Sequence, residues 1–117
     1  AFQVVDDLLD VSGEAEVVGK PTGNDLAAGV ITLPVIYLLK QHDVGPHVRR
    51  LLGEGPYSRP QIDEVLGLVH QNGAIEYSRS VATEFARKAQ EQLQVLPESD
   101  GRDMLADVAD ELLRRVY

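Results

Sequence analysis

The opening stretch, from Ala1 to Val11, leaves the chain little conformational choice. Val4, Val5, Leu8 and Val11 recur at helical spacing, and Asp6, Asp7 and Asp10 stand three and four apart in a DDxxD arrangement. On an α-helix, positions three and four apart share a face. The apolar four then form a buried stripe, and the three carboxylates point into one small volume. Gln3 lies one turn before Asp6 and Asp7, and Phe2 lies four residues before Asp6. Like charges at this spacing cost roughly 0.2–0.5 kcal/mol per pair. A cation on that face would remove the cost. Hard divalent ions take oxygen ligands, and Mg²⁺ uses one or two carboxylates and completes its octahedron with water and phosphate oxygens. A solvated acidic face is the alternative reading of the same residues.

The rest of the chain reads as further helices joined by short connections. Gly13 is a plausible stop for the first, because glycine takes the left-handed conformation at little cost. Residues 14–24 read as a loop, with two glycines, a proline and an asparagine close together. Lys20 lies there between Gly19 and Pro21. A lysine beside glycine can approach a phosphate as a point charge; a solvated loop lysine is the alternative. Asn24 or Asp25 is expected to cap a short turn through Ala28. Thr32 is expected to cap an apolar helix over 33–41, buried on most sides, with Pro34 tolerated in its first turn. His42 follows at its C-terminal end, where a protonated side chain suits the helix dipole.

Pro46 opens a short amphipathic segment ending at Gly53. Pro60 starts a helix with the stripe Ile62, Val65, Leu66 and Val69, stopping near Asn72 and Gly73. The longest helical pattern spans 74–96, with Ala82, Phe85, Ala89, Leu93 and Leu96 at three- and four-residue intervals. Pro97 ends it. Ser99 or Asp100 caps a last helix whose stripe is Leu105, Val108, Ala109, Leu112, Leu113 and Val116. No stretch alternates with period two, and no internal repeat is present. The expected fold class is all-α, a helical bundle of five or six helices.

At 117 residues the chain is long enough for one domain with a modest core. The run from Val30 to Leu39, broken by Thr32 and Pro34, is far shorter than the roughly 20 apolar residues a membrane helix needs. With no cysteine there is neither a disulfide nor a thiolate metal site. A net charge of −8 with scattered basic residues argues against a nucleic-acid partner, although an acidic chain can hold an anionic substrate where metal ions bridge the two. Ala1 runs directly into helical pattern with no N-cap residue. The expectation is a chain cut in mid-helix, with upstream helices missing.

Phe2-Gln3-Val4-Val5-Asp6-Asp7-Leu8-Leu9-Asp10, then Gly19-Lys20, then Gly23-Asn24-Asp25-Leu26, then Thr32-Leu33-Pro34, and later Gly73-Ala74-Ile75-Glu76 together resemble the trans-polyprenyl diphosphate synthases. The resemblance runs along essentially the whole of 1–117, and only to the C-terminal portion of such an enzyme's single all-helical domain. It identifies the acidic run with the second of the family's two aspartate-rich motifs; the first, and the upstream basic residues that hold diphosphates, are not in this chain.

What the resemblance implies is Mg²⁺-dependent chain elongation. An allylic diphosphate ionises and isopentenyl diphosphate adds to the cation, giving a product five carbons longer. Asp6 and Asp10 would be the leading metal ligands, with Asp7 ligating or supporting through water. Lys20 would contact the allylic diphosphate, Phe2 and Gln3 would line the site near the isopentenyl group, and Asp25 would support the loop and the metal-bound water. A cytoplasmic homodimer is the implied setting. One departure stands out: Val30 occupies a position where many members carry lysine. A non-catalytic partner subunit of a heteromeric synthase is the competing reading, and a terpene cyclase a third. This chain on its own is expected to be inactive, since it supplies one wall of a two-walled site, and to expose apolar surface.

Overall fold

The computed structural model describes residues 1–12, 22–53 and 55–116, and the described residues are helical with no strand among them. Among the described residues seven helices follow in order, against the five or six expected: α1 (Phe2–Ser12), α2 (Asn24–Ala27), α3 (Leu33–Lys40), α4 (Gly45–Leu51), α5 (Arg59–Gln71), α6 (Ala74–Leu93) and α7 (Asp100–Val116); the short α2 turn adds to the count. The all-α expectation is met. The expected stop at Gly13 lies outside the described residues, as does the loop reading over 14–21.

One core joins α1 through α6. Val5, Leu8 and Val11 of α1 meet Leu26 of α2, Val35 and Leu38 of α3, Val48 of α4, the Ile62, Val65, Leu66 and Val69 stripe of α5, and Ala74, Ile75 and Ala82 of α6. The stripe anticipated for α5 is therefore buried as read, and so is that of α1 except Val4, which is half-buried. The stacked rings of Tyr37 and Tyr77, 4.6 Å between centroids, add a bridge from α3 to α6.

Several helix ends differ in detail from expectation. Thr32 does stand at the N-cap of α3, yet its hydroxyl makes no cap bond; its carbonyl accepts the N–H groups of Val35 and Ile36. On α3 only Ile36 and Lys40 are exposed, so that helix is covered on most sides, as expected. Helix α5 begins with a capping box: the Ser58 backbone N–H donates to Gln61 Oε1 at 2.8 Å, and Ser58 Oγ accepts from Gln61 N–H at 3.4 Å. Ser99 Oγ accepts the Arg102 N–H at 3.1 Å at the head of α7.

The larger departure concerns α6 and α7. They pack along each other and against α1, but their apolar stripes are only half covered. Phe85 is 52% exposed, Leu105 53% and Val108 57%, while Ala86 and Ala109 are buried. The small residues close the helix contact and leave the large ones outside it. A shallow apolar groove of about 200 Å³ runs between Ala1, Ala86, Leu93, Leu105, Val108 and Leu112. The radius of gyration is 16.5 Å, above the roughly 13–14 Å of a compact domain this long.

Candidate functional site

Helix α1 presents one face of its N-terminal half outward and buries Val5 on the other. Phe2 and Gln3 are exposed, as is Asp6, and Asp7 is half-buried. The Gln3 amide Nε2 donates to Asp7 Oδ1 at 2.8 Å, one turn along the helix, and this fixes the Asp7 carboxylate. Among the described residues Asp6 has no hydrogen-bond or ion-pair partner, so both its oxygens are open to a ligand.

Asp10 is placed differently. It is 5% exposed. Its Oδ1 accepts the Asn24 N–H and its Oδ2 accepts the Asp25 N–H, each at 3.1 Å. The Asp10 backbone carbonyl accepts the Gly23 N–H at 2.9 Å. The first turn of α2 is thus capped by a carboxylate fourteen residues upstream, with a negative charge against its orphan N–H groups. The expectation that Asn24 or Asp25 caps this turn gives way to that arrangement: Gly23 holds the N-cap position, left-handed at φ 80°. The side chain of Asp25 is half-buried.

The anticipated convergence of all three carboxylates is not what the fold produces. Among the described residues no group of three acidic or histidine side chains stands close enough to hold a metal ion. The physical reason lies with α2. Its N–H groups satisfy Asp10 and bury it, while Asp6 and Asp7 stay near solvent. Lys20 lies outside the described residues. Val30 is exposed.

Contacts that sequence reasoning did not single out secure the chain on both sides of segment 13–21. At its departure, Ser12 Oγ donates to the Leu8 carbonyl at 2.7 Å and the His70 ring Nε2 bonds the Val11 carbonyl at 3.0 Å. At its return, Arg59 Nη1 donates to the Thr22 carbonyl at 3.0 Å, while Arg59 Nε pairs with Asp63 at 2.9 Å. The carbonyls that Arg59 and His70 hold are 37 and 59 residues away. No local pattern signals bonds of that span.

Comparison with known proteins shows what the chain is similar to. The family model for polyprenyl synthetase matches residues 1–69. The chain is 39% identical over its full length to a short chain isoprenyl diphosphate synthase of Methanothermobacter thermautotrophicus, covering 36% of that protein. It is 36% identical to an all-trans-nonaprenyl-diphosphate synthase (geranyl-diphosphate specific) of Rhodobacter capsulatus, with 99% of the chain and 36% of the relative aligned. Among solved structures, the geranylgeranyl pyrophosphate synthase of Corynebacterium glutamicum, crystallised with calcium and isoprenyl diphosphate, superposes with a TM-score of 0.84. It does so over 98% of this chain and 36% of its own, at 31% identity. The chain thus spans about a third of the length of the relatives it matches.

Proposed function

The chain belongs to the polyprenyl synthetase family, and from that membership we propose that the full-length protein condenses isopentenyl diphosphate with an allylic diphosphate to lengthen an isoprenoid chain. The observation that carries the reading is the outward half of α1, where Phe2, Gln3, Asp6 and Asp7 lie together beside a buried Asp10 that anchors the following helix. The donor set suits Mg²⁺. Among the described residues Asp6 has both oxygens open and Asp7 retains an oxygen beyond its bond to Gln3, and hard oxygen donors in that number are what the ion takes from a protein.

In this reading Asp6 and Asp7 hold Mg²⁺, and Asp10 completes the motif either at the metal or by support. Bound there, the ion supplies Lewis-acid stabilisation to the departing diphosphate. Gln3 keeps Asp7 in one rotamer, so the ligand needs little reordering when substrate arrives. Phe2 and Gln3 flank the isopentenyl group. Lys20 places a positive charge on the allylic diphosphate, and with Val30 in place of a lysine that contact bears more of the anion. Asp25, at the head of α2, supports the loop and metal-bound water. The homodimer and the cytoplasm remain the proposed setting; no helix among the described residues is long and apolar enough to cross a membrane. Relatives of similar identity are named for short-chain and nonaprenyl products; in this reading product length is set outside this third of the protein.

The test is direct. Purified full-length protein, supplied with Mg²⁺, geranyl diphosphate and labelled isopentenyl diphosphate, should yield labelled products longer by five-carbon steps. No incorporation overturns the enzyme reading. Incorporation only on adding a second, different chain would favour the partner-subunit reading instead.

A further inference from the structure

We propose that Gln3 sets the choice of ion at the acidic face: by holding one oxygen of Asp7 it confines that carboxylate to single-oxygen contact with a metal, which favours Mg²⁺ over Ca²⁺. The inference rests on the reading of Asp6 and Asp7 as metal-holding residues given above. The Gln3 amide Nε2 donates to Asp7 Oδ1 at 2.8 Å, and among the described residues this is the one hydrogen bond that the Asp7 carboxylate makes. The two residues stand four apart on α1, so the helix itself brings them together. A carboxylate can only accept, so it is the amide nitrogen that faces Asp7. The bond fixes the plane of the carboxylate and draws charge from Oδ1, which leaves Oδ2 as the oxygen that meets a cation. The amide is also neutral. It orients the anion without cancelling the charge that attracts the ion, as the ammonium of a lysine at the same position would.

The two ions differ in what they ask of a carboxylate. Ca²⁺ gathers roughly six to eight oxygens in a flexible shell and accepts carboxylates through both oxygens at once. Mg²⁺ holds a tight octahedron, uses one or two carboxylates and keeps several waters. Along α1 few carboxylates have both oxygens to give. Asp10 is 5% exposed, and both its oxygens accept backbone N–H groups, from Asn24 and Asp25. Asp7 has Oδ1 engaged by Gln3. Of the three, only Asp6, exposed and without a hydrogen-bond or ion-pair partner among the described residues, offers a cation both oxygens. Such a face suits an ion that completes its shell with water and diphosphate oxygens. Releasing Asp7 Oδ1 would place a second chelating carboxylate beside Asp6, and Ca²⁺ is the ion that gains from it. A group that hydrogen-bonds a metal-ligating side chain tunes the affinity of the site in this way.

The experiment compares the full-length wild type with Gln3→Met, Asp7→Asn, the two combined, and Asp6→Asn. Methionine matches glutamine in length and lacks its N–H donors. Electron paramagnetic resonance of free Mn²⁺ measures how much of that ion each protein holds. Adding Mg²⁺ or Ca²⁺ in turn gives the concentration of each that displaces half of the bound Mn²⁺. In Gln3→Met the ratio of those two concentrations should move about tenfold in favour of Ca²⁺. In the Asp7→Asn background the same substitution should leave the ratio unchanged, because no second carboxylate oxygen remains to be released. A ratio in Gln3→Met within about twofold of wild type, the scatter of independent sites, overturns the proposal. So does an equal shift with and without the Asp7 carboxylate, which would make the effect one of helix structure. Mn²⁺ binding that Asp6→Asn does not weaken overturns the metal reading of this face, and the proposal with it. The displacement ratio is read without catalysis, so a protein that holds Mn²⁺ through Asp6 but transfers no prenyl group loses the enzyme reading alone.

Discussion

Gly23 lies so close to Ile62 that a β-carbon on the glycine would stand 2.8 Å from Ile62 Cγ2, with Leu66 Cδ1 at 3.1 Å. Its backbone is also left-handed, at φ 80°. The two constraints compound. Gly23→Ala is expected to cost about 2–4 kcal/mol of stability, roughly 1–2 from the left-handed backbone and the rest from displacing packed side chains. Urea unfolding of the two proteins side by side measures it, and a loss under about 0.5 kcal/mol, the range of an ordinary surface change, would contradict the contact.

Asp6 is exposed and unpaired among the described residues, so its carboxylate contributes little to folding. Asp6→Ala should leave stability within about 0.5 kcal/mol of wild type. In the full-length protein it should lower prenyl-transfer turnover on the order of 100-fold, the scale of a lost metal contact to a developing negative charge. Turnover near the wild-type rate removes Asp6 from the proposed site.

The capping box at the head of α5 is mutually satisfied, with Ser58 and Gln61 each bonding the other's backbone N–H. Ser58→Ala should cost about 1 kcal/mol. Gln61→Ala in the Ser58→Ala background should cost less than it does alone, because the two bonds form as a pair. Chemical denaturation of the four proteins in that cycle gives the coupling, and strict additivity would show the box to be energetically idle.

Phe85, Leu105 and Val108 leave large apolar side chains in solvent on α6 and α7. Contiguous exposed apolar surface drives association. The 117-residue chain alone is expected to be inactive and to self-associate in sedimentation velocity, with Val108→Asp shifting it toward monomer. A monomer at high micromolar concentration would argue that the half-covered face is stable in water as it is.

How the two levels of description divide is clearest at α1 and α2. Periodicity places Val5, Leu8 and Val11 on one side of a helix whatever surrounds it, because 3.6 residues per turn is a property of the backbone. The same holds for Ile62, Val65, Leu66 and Val69, and those stripes, with the all-helical class, were readable from residues alone. So was the family, from the acidic run, Gly19-Lys20, the Gly23-Asn24-Asp25 turn and Thr32-Leu33-Pro34 taken together. The Ser58-to-Gln61 box is equally local, a Ser-x-x-Gln pattern before an apolar run, with Pro60 as a second start signal beside it.

What DDxxD spacing could not decide was which acids remain free. Spacing sets the direction in which a side chain leaves its helix; it does not say what will be packed there. The head of α2 arrives beside Asp10 only because Leu26, Ile62 and Leu66 bring that turn down onto α1 and α5, and its N–H groups then take both oxygens of the carboxylate. In the same way Phe85 and Val108 satisfy a helical stripe by spacing, but burial requires a partner surface, and in this fold the alanines beside them make the contact. The residues of this chain determined which helices form and which faces are apolar. Only the packing of distant segments determined which polar groups are already satisfied and which stay open for chemistry, because hydrogen bonds between residues fourteen to fifty-nine apart leave no trace in local pattern.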